Sequence, residues 1–251
     1  MEIQAKKCAD LIRKSKRIAL LSGAGLSTAA GIQDFRGPNG LYRTAGFENA
    51  EQIFDINTFH NDPSIFYRFH RAFLSALDEV KPTFAHQFFA SLEKEGSLAG
   101  IITQNIDSLH QRAGSEKVLE IHGGIWDTTC TECGKAVDFE TSHRLTLEED
   151  VPKCADCKGV LKPEIVFFGE SVMQLGECQQ LAEIADLFFV VGSSLVVTPA
   201  AILPSLSSAP IVVVNLGEVS PIYLPAERIS LHADSDIDTF FMAVNDELGL
   251  L

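Results

Sequence analysis

The chain of 251 residues contains no stretch of about 18 apolar residues free of breakers, so no helical membrane span is expected. It is short of positive charge. Twenty Lys and Arg face 34 Asp and Glu, a formal net charge of −14. Such a surface repels phosphate backbones, so direct nucleic-acid binding is not expected, and basic partners such as lysine-rich segments suit it better. No secretion signal is expected either. Lys6, Lys7, Arg13, Lys14, Lys16 and Arg17 precede the apolar residues 18–21, but Gly23 and Gly25 break that run at once. A cytoplasmic location is therefore expected. Cysteine is scarce. Four of the six, Cys130, Cys133, Cys154 and Cys157, form two CxxC pairs, a pattern that points to metal rather than to disulfides in an intracellular chain. Cys8 and Cys178 read as plain thiols.

What is present is the composition of a globular enzyme. Apolar residues make up 46% and charged residues 22%, and the length suffices for one large domain or a domain with a small module. Short apolar runs recur at residues 18–21, 100–102, 118–121, 187–191 and 211–214, with a weaker one at 228–231. Runs without polar alternation mark strands covered on both faces. Helical spacing lies between them: Ala5, Cys8, Ala9 and Ile12; Ile65, Phe66, Phe69, Phe73 and Leu77; Phe84, Phe88 and Leu92; and Ile237, Phe240, Phe241, Val244 and Leu248. The alternation predicts an α/β fold with a doubly wound, mostly parallel Rossmann-like sheet. Two regions break it: residues 37 to about 80, read as a loop and a helix or two, and the polar residues 127–159. They are expected to form a smaller lobe made of a zinc-ribbon module and a helical insertion. The large domain then comprises residues 1–126 and 160–251, with the zinc-binding module at 127–159.

Each CxxC turn sets two thiolates on one side of a bend, and two turns complete the four-sulfur tetrahedron zinc prefers. With no open coordination position the ion is structural. The segment between the pairs is too polar to hold itself together by burial, so the metal must supply its folding energy. The competing readings are disulfides and an iron–sulfur cluster.

After the first apolar run comes Ser22-Gly23-Ala24-Gly25-Leu26-Ser27-Thr28. Small residues and the amides of a following helix start suit a pyrophosphate. The GxGxxG fingerprint is half met, because Thr28 stands at the third glycine and no clear partner acid follows. A tight turn explains the same glycines. Polar residues gather just past other strand ends, where ligands bind in such sheets: Thr103-Gln104-Asn105-Ile106-Asp107, His122-Gly123-Gly124, Gly192-Ser193-Ser194 and Asn215-Leu216-Gly217. His122 is placed to act as a base near neutral pH, or is a plain surface or core histidine.

Taken together these segments resemble the sirtuin family. The resemblance runs from residue 18 to about 217, through Gly23-Ala24-Gly25-Leu26-Ser27, Gly31-Ile32-Gln33-Asp34-Phe35-Arg36-Gly37, Thr103-Gln104-Asn105-Ile106-Asp107 with Leu109-His110, His122-Gly123-Gly124, the CxxC pairs, Lys162-Pro163-Glu164-Ile165-Val166-Phe167-Phe168-Gly169-Glu170, Gly192-Ser193-Ser194-Leu195-Val196-Val197-Thr198-Pro199, and Asn215. Gln33 replaces a common proline, and Ala233-Asp234-Ser235 stands where a glycine-led segment is usual.

The resemblance implies an NAD-dependent protein lysine deacylase, with deacetylation foremost. NAD is then a co-substrate and one zinc is structural. His122 and Asn105 would be catalytic. Gly23, Ala24, Gly25, Ser27, Asp34, Phe35, Arg36, Tyr42, Gln104, Asn105, Ile106, Asp107, Gly192, Ser193, Ser194, Asn215, Leu216, Gly217 and Ser235 would bind NAD. Tyr67, Val166, Phe167, Gly169, Glu170 and Val196 would bind an acylated lysine segment of a protein, laid extended between residues 167–170 and 195–197. Phe35 and Val166 would line the acyl tunnel. Acidic acyl groups are expected to be poor substrates, because family members that take them resemble one another in a Tyr-x-x-Arg pair, and here Tyr67 is followed by His70, with Arg71 one residue on. The alternatives are a mono-ADP-ribosyltransferase or NAD hydrolase on the same fold, and an inactive scaffold carrying a zinc-ribbon interaction module.

Overall fold

A computed structural model describes residues 1–32 and 50–251. In chain order the strands are β1 (Ile18–Ser22), β2 (Leu98–Thr103), β3 (Val118–Glu120), β4 (Gly123–Cys130), β5 (Ala136–Val137), β6 (Leu161–Ile165), β7 (Leu187–Val191), β8 (Ile211–Asn215) and β9 (Ile229–Asp234). All six apolar runs are strands of one sheet, in the order β3-β2-β1-β7-β8-β9. Every pairing in it is parallel. Numbered among themselves these strands run 3-2-1-4-5-6, the order of a dinucleotide-binding sheet.

The described α-helices are α1 (Glu2–Lys14), α2 (Ile56–Asn61), α3 (Ser64–Leu77), α4 (Phe84–Lys94), α5 (Leu109–Arg112), α6 (Phe139–Glu148), α7 (Leu175–Ile184), α8 (Leu203–Leu206) and α9 (Ile237–Leu248). Side chains alternate across a strand, so β1 sends Ile18 and Leu20 to one core and Ala19 and Leu21 to the other. The first core is closed by α1, α4 and α9 through Cys8, Phe88, Phe89, Phe240 and Phe241. The second is closed by α7 and the segment leading into α8, through Leu181, Ala182, Ala200 and Leu203. Both faces are covered, which is why β1, β7 and β8 are buried at every position. The start of α4 is fixed from α9. The Asp238 carboxylate accepts from the amides of Phe84 and Ala85, at 3.1 and 2.9 Å. Helix α9 itself begins on Asp236, which accepts from the Thr239 amide, and ends on Gly249 in the left-handed region.

The smaller lobe has a core of its own. Ile53, Phe54, Phe59, Phe66, Tyr67 and Leu74 of the helical insertion pack against Ile125, Ile165 and Phe167. A second sheet, β5-β4-β6, is antiparallel. It takes in residues on either side of the expected 127–159 module, because β4 starts at Gly123 and β6 runs from Leu161 to Ile165. A ten-residue helix, α6, lies within the module, begun by Asp138 accepting from the Thr141 amide. Of the helical insertion, a 3₁₀ turn (Ala50–Phe54), α2 and α3 fall within the described residues.

Candidate active site

The sheet reverses its strand order between β1 and β7, and the ends of those strands open a cleft of about 1830 Å³. Gly23, Ala24, Gly25, Gln104, Asn105, Ile106, His122, Gly192, Ser193, Ser194, Asn215, Leu216 and Gly217 all line it. Val166, Phe167, Gly169, Glu170 and Val196 line it from the other side. The cleft thus gathers in one place residues separated by up to 215 positions (Gly23 to Asp238).

The glycines after β1 serve close packing as much as ligand approach. A Cβ on Gly23 would meet the Gly192 carbonyl at 2.6 Å, and one on Gly25 would meet the Gly192 Cα at 2.8 Å. Their amides are already spent, Gly23 on Val191 O and Gly25 on Gly192 O. The expected helix start is a 3₁₀ segment, Ala24–Ala30, ending on Gly31 at φ 93°. Gly192 itself turns at φ 66°.

His122 follows β3, half-buried. Its Nδ1 lies 3.1 Å from the Gln104 carbonyl. A carbonyl only accepts, so Nδ1 carries the proton and Nε2 is left as the lone-pair acceptor. Burial lowers the pKa of His122, and the Gln104 carbonyl opposes that shift. The carbonyl of His122 accepts from the Val166 amide at 2.8 Å, tying the histidine to the far wall.

Asn105 is held by its amide, which donates to Gly23 O and to Ser27 Oγ, each at 3.1 Å. Ser27 in turn donates to Asp107 at 2.6 Å, and the other Asp107 oxygen accepts from the Leu109 amide. Ser27 and Asp107 are buried behind the cleft wall and do not line it. Burial raises the Asp107 pKa against the pull of those hydrogen bonds. Gln104 donates to Ser193 Oγ at 2.8 Å, and that oxygen also accepts from the Leu195 amide, which leaves the Ser193 hydrogen to donate. At the far end the Asn215 amide donates to Gly217 O, and the Gly217 amide donates to Asp234.

Besides Ser27 and Asp107, two more expected site residues, Tyr67 and Ser235, stand off the cleft wall. Tyr67 is buried in the small-lobe core, donating to Leu161 O at 2.5 Å among Phe59, Phe66 and Phe167, and does not reach the cleft. His70 is stacked on Phe66 in the same core, and Arg71 donates to the carbonyls of Thr146 and Glu149. A helical period shows which residues share a face, not whether the face meets core or cleft. Ser235 also stands off the wall, while its neighbours Asp234 and Asp236 line it. Asp34, Phe35, Arg36 and Tyr42 lie outside the described residues, as does Gln33. Phe54, Glu218, Asp234, Asp236 and Asp238 line the cleft without having been picked out from the sequence. Asp234 ends β9, so the after-strand rule that selected Asn215 would have found it.

The four CxxC sulfurs lie within 4.8 Å of one another, with Cys130 Sγ to Cys157 Sγ at 3.4 Å and Cys133 Sγ to Cys154 Sγ at 3.9 Å. A tetrahedral ion with sulfur at about 2.3 Å sets its ligands about 3.8 Å apart, so these residues fit one zinc. They are not disulfides. Only Cys130, Cys154 and Leu161 form the local buried cluster, so the module has little apolar core without metal.

A parallel dinucleotide-binding sheet whose cleft faces a histidine on one wall, under a lobe built around four thiolates, defines a nucleotide-using enzyme with a structural metal. The chain belongs to the Sir2 family, whose model matches residues 23–199. A relative from Thermotoga maritima named NAD-dependent protein deacetylase is 41% identical over 254 residues, covering 99% of this chain and all of that one. A solved structure of Sir2Tm bound to a propionylated peptide is 39% identical with a TM-score of 0.87, over 99% of this chain and 100% of the other. A solved Sir2 with p53 peptide and NAD+ is 40% identical with a TM-score of 0.86, over 98% and 99%.

Proposed function

We infer that this protein is an NAD-dependent protein lysine deacylase, acting chiefly as a deacetylase. The observation that carries the reading is the position of His122, between a glycine- and serine-lined nucleotide end and an apolar wall of Val166, Phe167 and Phe168. Two substrates laid in the two halves of one cleft meet at that histidine. The solved relatives hold an acylated peptide and NAD+, which supports the same division.

In the reaction the amide oxygen of the acyl-lysine forms a bond to the ribose carbon as nicotinamide leaves. A neutral amide oxygen is a poor nucleophile, so holding it against that carbon supplies much of the rate. His122, through Nε2, takes the proton of a ribose hydroxyl, and that oxygen then attacks the former amide carbon. The lysine amine leaves with the proton that His122 took up, and a water then adds to the remaining acyl-ribose cation to give O-acyl-ADP-ribose. Asn105 lines the cleft with both amide hydrogens engaged, which leaves its Oδ1 as the acceptor that would orient a water or the nicotinamide amide. Ser27 and Asp107 hold that amide in place from behind. Ser193, Ser194, Asn215 and Gly217 take the phosphates and the adenosine, and Val166, Gly169, Glu170 and Val196 take the acyl-lysine segment.

The cysteine cluster holds zinc as a brace. The described residues that line the cleft carry no Lys or Arg, and the net charge is strongly negative, which supports lysine-bearing protein segments as partners and argues against nucleic acid. No described helix is long and apolar enough to cross a membrane. A cytoplasmic location agrees with four free thiols held for a metal.

Incubation with NAD and a panel of acyl-lysine peptides, read by mass spectrometry, tests the assignment. Nicotinamide, deacylated peptide and O-acyl-ADP-ribose are expected in equal amounts. NAD loss that ignores the peptide, or ADP-ribose attached to the peptide, would move the assignment to a hydrolase or a transferase.

A further inference from the structure

The segment after β6 forms one wall of the cleft, and a charged pair outside the chemistry holds it there. Lys162 lies on β6, its side chain only 12% exposed. Its ammonium donates to Ile165 O and to Glu170 Oε2, each at 2.9 Å, and to Pro163 O at 3.4 Å. It also sits 4.3 Å above the centroid of the Phe167 ring. The same Glu170 oxygen accepts from the Phe167 amide at 2.8 Å. Lys162 therefore closes a short loop from both ends, with Ile165 at one and Glu170 at the other.

The rest of the loop is pinned to its surroundings. The Val166 amide donates to His122 O at 2.8 Å. The Phe168 amide donates to Phe54 O, and the Ile56 amide to Phe168 O. Gly169 turns the chain at φ 98°, where a Cβ would meet Ile56 Cγ2 at 2.8 Å. Val166, Phe168 and Gly169 face the cleft. Among the hydrogen bonds at Lys162, only the one to Glu170 joins two formal charges; without the ammonium Glu170 keeps the Phe167 amide as a donor but is no longer tied to Ile165 O.

We propose that Lys162 is a positioning residue for the acyl-peptide: by clamping Ile165 O and Glu170, it sets where Val166 to Gly169 stand relative to His122. An exposed ion pair would do little. Here Glu170 is exposed, but the Lys162 side chain is only 12% exposed and its ammonium also holds two backbone carbonyls, so its loss unties Glu170 from Ile165 O. The nucleotide end of the cleft is built from other strands and owes nothing to it.

The inference rests on the deacylase reading, and the test separates the two. Steady-state kinetics with NAD and an acetyl-lysine peptide are compared for the wild type, Lys162→Met, which keeps the stem over Phe167, and Lys162→Arg. For Lys162→Met the peptide KM is expected to rise at least about tenfold, with the NAD KM and kcat within about twofold. Lys162→Arg should recover most of the loss. Thermal unfolding and zinc content report folding. If Lys162→Met does not fold, Lys162→Gln, whose amide can still donate to Ile165 O, is measured in its place. A peptide KM within twofold of the wild type, or equal rises for both substrates, overturns the clamp. A wild type that turns over no acyl-peptide overturns the deacylase reading instead.

Discussion

At the scale of single residues, the cleft depends on how each side chain is held. His122 is fixed through Nδ1 to a carbonyl, so its remaining nitrogen is aimed without an acidic partner among the described residues. His122→Ala should leave the fold intact and lower kcat by about 10²–10⁴, the usual loss for a positioned base. Near-normal turnover would remove His122 from the chemistry. The base must be neutral to act, and burial lowers its pKa, so the neutral form persists to lower pH. The acid limb of kcat/KM should therefore fall below the ordinary imidazole value of 6.5, and a limb above that value contradicts the assignment. Poor use of acidic acyl groups is still expected, on other grounds than Tyr67 and His70, which are core. Every charged residue described as lining the cleft is acidic: Glu170, Glu218, Asp234, Asp236 and Asp238. No guanidinium among them can pair with a succinyl carboxylate, and a lost charge-assisted bond costs about 1.5–3 kcal/mol. The succinyl version of a peptide should be about ten- to a hundredfold worse in kcat/KM than the acetyl version. Faster succinyl turnover would show a cation that these residues do not supply. His122 and the four cysteines were legible because a strand end and a CxxC spacing each carry a geometric meaning. The place of Tyr67 was not, because nothing in a helical period distinguishes an apolar cleft wall from an apolar core.

At the scale of elements, β4 and β6 link the two chemistries of the small lobe. Strand β4 leaves His122 at Gly123 and reaches the metal cluster at Cys130. Strand β6 returns from Leu161 to Ile165, next to Val166. Losing the metal should therefore be felt at the cleft through these strands. One zinc per chain is expected by elemental analysis, and iron or no metal would contradict the cluster. Cys130→Ala should strip amide protection from residues 123–165 in hydrogen exchange while the six-stranded sheet keeps its own, and activity should be lost with it. Uniform loss of protection across both sheets would show instead that the zinc braces the whole chain. The strands of this lobe were hard to read because β4, Gly-Gly-Ile-Trp-Asp-Thr-Thr-Cys, has no run of apolar residues and no sustained alternation. Helix α6 was equally hidden, since its burial rests on Ser142 and Thr146. With so small a buried apolar cluster, this region is expected to depend on its metal to fold, and periodicity was the signal available.

At the scale of the whole molecule, all six strands of the large sheet were readable, because a parallel sheet buried on both faces turns each strand into an unbroken apolar run. Their order was not readable from the runs, since the pairing of β1 with β7 is settled by how crossover helices cover the two faces. The same thorough burial sets how the fold answers to acid. His70, His86 and His110 are buried on α3, α4 and α5. Desolvation lowers His70 and His86 to about 3 from 6.5, and His110 well below its ordinary value. His143 and Arg71 add to the lowering at His70, and His86 to that at His110. The Thr83 amide donates to His86 Nδ1, which a proton there would forbid. Below pH 6.5 the unfolded chain binds a proton at each of these residues and the folded chain does not. Stability therefore falls as pH drops from 6.5 toward 3, by about 1.4 kcal/mol per unit for each histidine, or about 4 for the three. That is a large part of the roughly 5–15 kcal/mol a domain has. Asp107 and Glu120 work the other way, because burial raises their pKa values and the folded state then holds the extra proton. Net charge also opposes the trend: a chain at −14 with a pI near 4.9 sheds self-repulsion on acidification, which by itself would strengthen the fold. A urea midpoint that drops steadily between pH 6.5 and 5, while net charge shrinks, is thus the mark of the buried histidines. His70→Leu should flatten that slope by about a third, whatever it does to stability at neutral pH. A midpoint that holds or rises over the same range would mean that the three rings accept protons in the folded state.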